Sequence, residues 1–276
     1  MNLVAQGPDI TRQQADELAR LAGAMQVERI ADRAFRLKTS SLEKSIPAWC
    51  EARRIDHALM PEGRRFADLR LLAMDMDSTL ITIECIDELG DMAGKKAEIA
   101  RITAQAMRGE IDYPESLRRR VGLLSGLHES ALERVYQERL ELTPGANELL
   151  DACRKHGVKV LLVSGGFTFF TERLKERLGL DYTISNVLEV ENRTLTGRVS
   201  GAIVEAGAKA AKFRSVAGRL HASREQTVAI GDGANDLKMM AEAGVSVAFR
   251  AKPVVRAQAT CAIDWCALDA VLNLFE

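Results

Sequence analysis

Hydrophobic positions fall into two textures along this chain. In residues 2–60 they come as short segments. Asn2–Gln6 is mostly apolar, and Leu18, Leu21 and Ala22 repeat at helical spacing within a stretch from about Thr11 to Ala24. Val27–Ile30 and Ala34–Leu37 have strand character, Leu42–Arg53 reads as a second helix, and His57–Met60 closes the set as a strand. The order β-α-β-β-α-β predicts a small ferredoxin-like α+β domain over residues 1–65. Pro61-Glu62-Gly63-Arg64-Arg65 is polar and breaks regular structure, which sets the boundary there.

Residues 66–276 are different. Leu71–Met74 is a continuous apolar run ending at Asp75. Val160–Val163 ends in Ser164-Gly165-Gly166, Thr227–Ile230 ends in Gly231-Asp232-Gly233, and Val245–Phe249 is a fourth run. Short apolar strands separated by helical segments predict an α/β fold with a Rossmann-like parallel sheet buried on both faces. Ligands of such sheets bind beyond the carboxyl ends of the strands. Three of the four strands end there in residues suited to phosphate or metal. Between the first two lies an insertion at about 84–143, longer than a simple crossover needs. Its pattern predicts helices over Ile86–Arg108, Glu115–Leu124 and Glu129–Leu140, which would form a helical cap at the ligand-bearing edge.

Charge and cysteine content narrow the function. Thirty-eight basic residues against 39 acidic ones give a formal charge of −1, which argues against a nucleic-acid binder. The five cysteines include no C-x-x-C pair, so neither a disulfide framework nor a zinc site is expected. Residues 1–8 lack a basic segment followed by an apolar one, and no apolar run approaches the ~20 residues of a membrane span. A cytoplasmic protein without membrane or nucleic-acid partners is the expectation.

The strand ends carry the candidate chemistry. In Asp75-Met76-Asp77-Ser78-Thr79 one carboxylate can attack phosphorus while the other protonates the departing oxygen. Read alone, the same residues would form an acidic turn capping a helix. Gly231-Asp232-Gly233-Ala234-Asn235-Asp236 offers close backbone approach and oxygen ligands for a hard cation. A dinucleotide fingerprint is the rival there, but Asp236 replaces its third glycine and Arg250 follows the next strand where an acid would bind ribose. Ser164, Gly165 and Gly166 form an anion nest at a strand-to-helix turn. Lys209 alone would be an ordinary surface lysine. Together the set is coherent: a Mg²⁺ ion between Asp75 and Asp232, with Lys209 and Ser164 opposite, offsets the repulsion between carboxylates and a phosphate dianion.

In this order the motifs resemble those of the haloacid dehalogenase superfamily of phosphohydrolases, and more closely those of its phosphoserine phosphatases. The similarity covers about residues 68–260. It implies Asp75 as nucleophile and Asp77 as general acid/base. Mg²⁺ would be bound by the Asp75 carboxylate, the Asp77 backbone carbonyl and Asp232, supported by Asp236. Ser164, Gly165 and Lys209 would bind phosphate, and Asn235 would contact substrate. Glu84 and Arg120 match the family's glutamate and arginine for the amino-acid moiety of O-phosphoserine, and Met107 and Tyr113 match cap positions that close over it. The family usually has phenylalanine where Tyr113 stands. Residues 1–65 resemble the ACT-like regulatory domain of many such enzymes. Serine biosynthesis is the implied pathway. A phosphotransferase acting on homoserine, a phosphatase for another small ester, and a non-catalytic amino-acid sensor remain as alternatives. The N-terminal domain fits either a sensor or a homodimer surface.

Overall fold

The computed structural model describes residues 1–39 and 43–276. At its amino-terminal end, β1 (Asn2–Gln6), α1 (Arg12–Leu21), β2 (Gln26–Ala31), β3 (Ala34–Lys38), α2 (Ile46–Glu51) and β4 (Asp56–Met60) form an antiparallel sheet in the order β2-β3-β1-β4 with two helices. This is the expected ferredoxin-like arrangement. Thr11 starts α1 through a capping box, its hydroxyl accepting the Gln14 N–H while Gln14 Oε1 accepts the Thr11 N–H. The second helix begins later than its pattern suggested, at Ile46; Leu42, where it was expected to start, lies outside the described residues. Strand alternation then sorts the side chains. Leu3, Ala5, Phe35 and Leu37 pack with Leu18, Ile46 and Cys50 under the helices, while Val4, Ala58 and Met60 face the larger core of the molecule.

The rest of the chain builds a seven-stranded sheet from β5 (Leu71–Asp75), β6 (Lys159–Phe167), β7 (Tyr182–Glu191), β8 (Thr194–Ser200), β9 (Thr227–Gly231), β10 (Val245–Phe249) and β11 (Cys261–Ile263). Its order is β11-β10-β9-β5-β6-β7-β8, parallel except for the β7–β8 hairpin. Along β5, Leu72 and Met74 enter one core and Leu71 and Ala73 the other, so both faces are buried as the unbroken apolar runs require.

Between β5 and β6 lie α3 (Cys85–Met92), α4 (Lys96–Met107), α5 (Tyr113–Gly122), α6 (Ser130–Glu138) and α7 (Ala146–His156). The single helix expected over Ile86–Arg108 is two, because Gly94 takes φ +67 and turns the chain. The strand expected to end at Val163 continues to Phe167, so Ser164-Gly165-Gly166 is extended, and α8 (Thr168–Leu178) starts only after it. The remaining helices are α9 (Ala206–Arg219), α10 (Leu237–Glu242) and α11 (Pro253–Arg256).

The two sheets are joined firmly. The buried Asp56 carboxylate on β4 accepts the N–H groups of Asp264 at 2.8 Å, Trp265 at 3.2 Å and Cys266 at 2.9 Å, just past β11. Glu276 N–H donates to the Arg64 carbonyl at 2.8 Å, tying the chain's end to the segment between the sheets. Among the described residues no helix is long and apolar enough to cross a membrane.

Candidate active site

Asp75 ends β5, where the buried strand delivers it to the carboxyl edge of the sheet. Its Oδ1 accepts the Met76 N–H at 2.8 Å and lies 3.0 Å from Lys209 Nζ; its Oδ2 has no hydrogen-bond partner among the described residues. Lys209 comes from α9, is fully buried, and also donates to Asp236 Oδ1 at 2.8 Å. Asp236 Oδ2 accepts the Gly233 N–H at 3.2 Å, which folds the loop after β9 onto the ammonium. Burial, and then the neighbouring Asp236, hold the Asp75 carboxyl well above the usual carboxylate range. Burial alone would lower Lys209, but Asp236 and Asp75 outweigh it and keep the amine charged.

Asp77 follows in the tight turn Met76–Leu80, which is closed by Ser78 at φ +57. Its Oδ1 accepts the Cys85 N–H at 2.9 Å and its Oδ2 faces Ser164 Oγ at 3.4 Å. Burial raises this carboxyl too, against the hydrogen bonds from Cys85 that lower it. A Cβ on Gly166 would lie 2.8 Å from Asp77 Oδ2, so glycine there is what lets the acid approach β6. Ser164 Oγ in turn accepts the Gly166 N–H at 2.8 Å.

These groups border a cavity of about 430 Å³ between the strand ends and the helical insertion. Asp75, Asp77, Gly165, Asp232 and Asn235 line its floor, and Glu84, Met107, Tyr113 and Arg120 its roof. Ser164, Lys209 and Asp236 lie fully buried beneath the floor. Glu84 Oε1 accepts the Ser78 hydroxyl at 2.7 Å. Although Glu84 borders open cavity, desolvation by the surrounding walls and then the charge of Asp77 push its carboxyl up to about 7. Arg120 Nε donates to the Ser116 carbonyl at 3.4 Å, leaving the fork at the cavity wall. Met107, 60% exposed, stands at the mouth. The Tyr113 hydroxyl donates to the Gly165 carbonyl at 3.0 Å, and desolvation pushes its phenol up to about 12.

Sequence reasoning missed three contributors. Lys252, just past β10, lines the cavity near Asp232, and its N–H donates to the Asp232 carbonyl at 3.1 Å. Its position beyond a strand end was the available signal. Cys85 acts through its backbone and Asn186 from within β7, and neither carries a motif.

The acids also meet a metal's requirements. One oxygen each from Asp75, Asp232 and Asp236 lies within 4.8 Å of the others. The buried Lys209 ammonium pairs with Asp75 and Asp236, and burial together with Asp236 pushes Asp232 up to about 6. A divalent cation with a preference for oxygen would relieve that crowding. The Asp77 side chain is outside this group.

Comparison with known proteins agrees with this geometry. Residues 72–241 match the model of the haloacid dehalogenase-like hydrolases, and residues 3–40 match one described as a domain of unknown function. A phosphoserine phosphatase of Polaromonas is 54% identical over 217 residues, spanning 77% of this chain and 92% of its own. The crystal structure of a probable phosphoserine phosphatase from Vibrio cholerae superposes with a TM-score of 0.86 at 37% identity, covering 99% of this chain and 86% of that one. A phospho-aspartyl intermediate analogue of phosphoserine phosphatase superposes with a TM-score of 0.71 at 38% identity, covering 75% and 99%. This chain therefore belongs to the haloacid dehalogenase-like hydrolases, and within them to the phosphoserine phosphatases.

Proposed function

We propose that the protein hydrolyses O-phosphoserine to serine and inorganic phosphate, the last step of serine biosynthesis, through an aspartyl phosphate on Asp75. One observation carries this reading. A carboxyl with a free oxygen, Asp75 Oδ2, and a second carboxyl whose proton affinity burial raises, Asp77, share the floor of a cavity roofed by Glu84 and Arg120.

In the first step Asp75 Oδ2 attacks phosphorus in line. As the bond from phosphorus to the serine oxygen breaks, Asp77 gives that oxygen its proton. Serine leaves and water takes its place. Asp77, now a carboxylate, accepts a proton from the water, whose oxygen attacks phosphorus and releases Asp75. The Ser164 hydroxyl and Gly165 N–H donate to phosphoryl oxygens, Lys209 balances Asp75, and Asn235 contacts the substrate. Glu84 takes the ammonium and Arg120 the carboxylate, a bidentate fit for guanidinium. The metal would be Mg²⁺, held by Asp75, Asp232 and the Asp77 backbone carbonyl with Asp236 behind, and would neutralise charge on the phosphoryl group.

We assign residues 1–65 to an ACT-like unit and 66–276 to the phosphatase unit, with its cap at 84–143. The sheet order and the two helices on one face support the former. All five cysteines are free thiols, as suits a reducing cytoplasm. Phosphate release should be measured from phosphoserine, phosphothreonine, sugar phosphates and nucleotides, with and without Mg²⁺. Preference for phosphoserine with Mg²⁺ is expected; equal rates across esters would reject the amino-acid pocket.

A further inference from the structure

Gly165 is not glycine for its backbone angle, which lies outside the left-handed region. It is glycine for want of space. The three nearest atoms that a Cβ would meet all belong to Tyr113: Cζ at 3.2 Å, Cε2 at 3.8 Å, and the hydroxyl oxygen inside van der Waals contact. The Tyr113 hydroxyl uses this close approach to donate to the Gly165 carbonyl at 3.0 Å. The same carbonyl accepts Asn186 Nδ2 at 2.8 Å. Asn186, 1% exposed, is itself fixed by the Val204 N–H, which donates to its Oδ1 at 2.8 Å. At the other end of that peptide group, the Gly166 N–H donates to Ser164 Oγ at 2.8 Å. Because Ser164 Oγ accepts there, its own proton is left for Asp77 Oδ2 or for a phosphoryl oxygen. A single peptide unit thus has a cap residue on its oxygen and the Ser164 hydroxyl on its nitrogen.

We propose that Tyr113 and Asn186 are positioning residues for the Ser164–Gly166 cradle, and that Tyr113 makes the order of the cradle depend on closure of the cap. The inference rests on the reading of Ser164 and Gly165 as phosphate donors. With the cap closed, two donors polarise the Gly165 carbonyl and strengthen the N–H bond that aims Ser164. With it open, only Asn186 remains.

Orthophosphate probes the cradle without occupying the amino-acid pocket, and Tyr113→Phe keeps the ring while deleting the hydroxyl. The inhibition constant of orthophosphate is expected to rise about three- to tenfold in Tyr113→Phe, the loss of one hydrogen bond. Gly165→Ala should lower kcat, and combining it with Tyr113→Phe should restore part of the loss, because the added methyl collides chiefly with the hydroxyl. An unchanged orthophosphate constant in Tyr113→Phe overturns the proposal, as does a Gly165→Ala defect that the second change does not relieve. If wild-type enzyme fails to hydrolyse O-phosphoserine, the functional reading falls instead. Wild-type turnover with an unchanged Tyr113→Phe constant sinks only the positioning role of Tyr113.

Discussion

Lys209 Nζ lies 3.0 Å from Asp75 Oδ1, and both side chains are buried. The ammonium also holds Asp236 at 2.8 Å, so one cation stands between two acids that would otherwise face each other out of water. Lys209→Met removes it. That variant should lose about 3–5 kcal/mol of stability, as expected when a buried pair is broken from one side. Urea unfolding without metal checks the figure, and a loss below about 1 kcal/mol would mean that Lys209 is not what neutralises the acids.

Asp75→Asn keeps the shape of the proposed nucleophile and removes its attacking oxygen. Phosphoserine turnover should fall by at least about a thousandfold. Mass spectrometry after trapping with beryllium trifluoride should find no adduct on the variant and one on residue 75 of the wild type.

Glu84→Gln and Arg120→Ala address selectivity. Each should raise KM for phosphoserine about tenfold or more, the worth of a charge-assisted contact, and leave p-nitrophenyl phosphate hydrolysis within about twofold. Parallel losses on both esters would put these residues in the chemistry rather than in amino-acid recognition.

Stability should depend on pH in a direction opposite to that of most acids. Asp232 is raised from 3.8 to about 6, so its contribution is fully present below pH 3.8 and is lost as pH rises through about 6. Asp75 and Asp77 shift the same way. The metal-free protein should therefore weaken between pH 4 and 7, by roughly 1–3 kcal/mol from Asp232 alone. Mg²⁺ should restore the melting temperature more at pH 7.5 than at pH 5. Calorimetry with and without a chelator reads both effects.

Calcium should support turnover poorly, because it favours more ligands and longer bonds than Mg²⁺. Rates with the two ions at saturation decide this, and equality would contradict the assigned metal geometry.

Much of the fold was legible because burial on both faces writes itself as unbroken apolar runs. Hence β5, β6, β9 and β10 stood out. The β7–β8 hairpin did not: only Asn186 and Leu195 of its strands are buried, and its turn places Asn192 and Arg193 at φ +49 and +62 without the usual glycine. β11 spans three residues, too few for a pattern. The acids of the site were visible because they follow buried strands, Asp75 and Asp77 two residues apart after β5 and Asp232 between two glycines after β9. Asn186 was not, because its role depends on which carbonyl it meets across β6 and β7, a matter of packing rather than spacing. Likewise Ser164-Gly165-Gly166 looked like a turn, and only neighbouring strands reveal that it is still extended.

The carboxylate of Asp56, gathering three amide protons from beyond β11, binds the fate of one sheet to the other. If the smaller sheet came away, those amides would be stripped of their acceptor and Val4, Ala58 and Met60 would lose their cover. Melting one layer thus undermines the other, and heat should dissolve the whole molecule in one cooperative step rather than peel it in two.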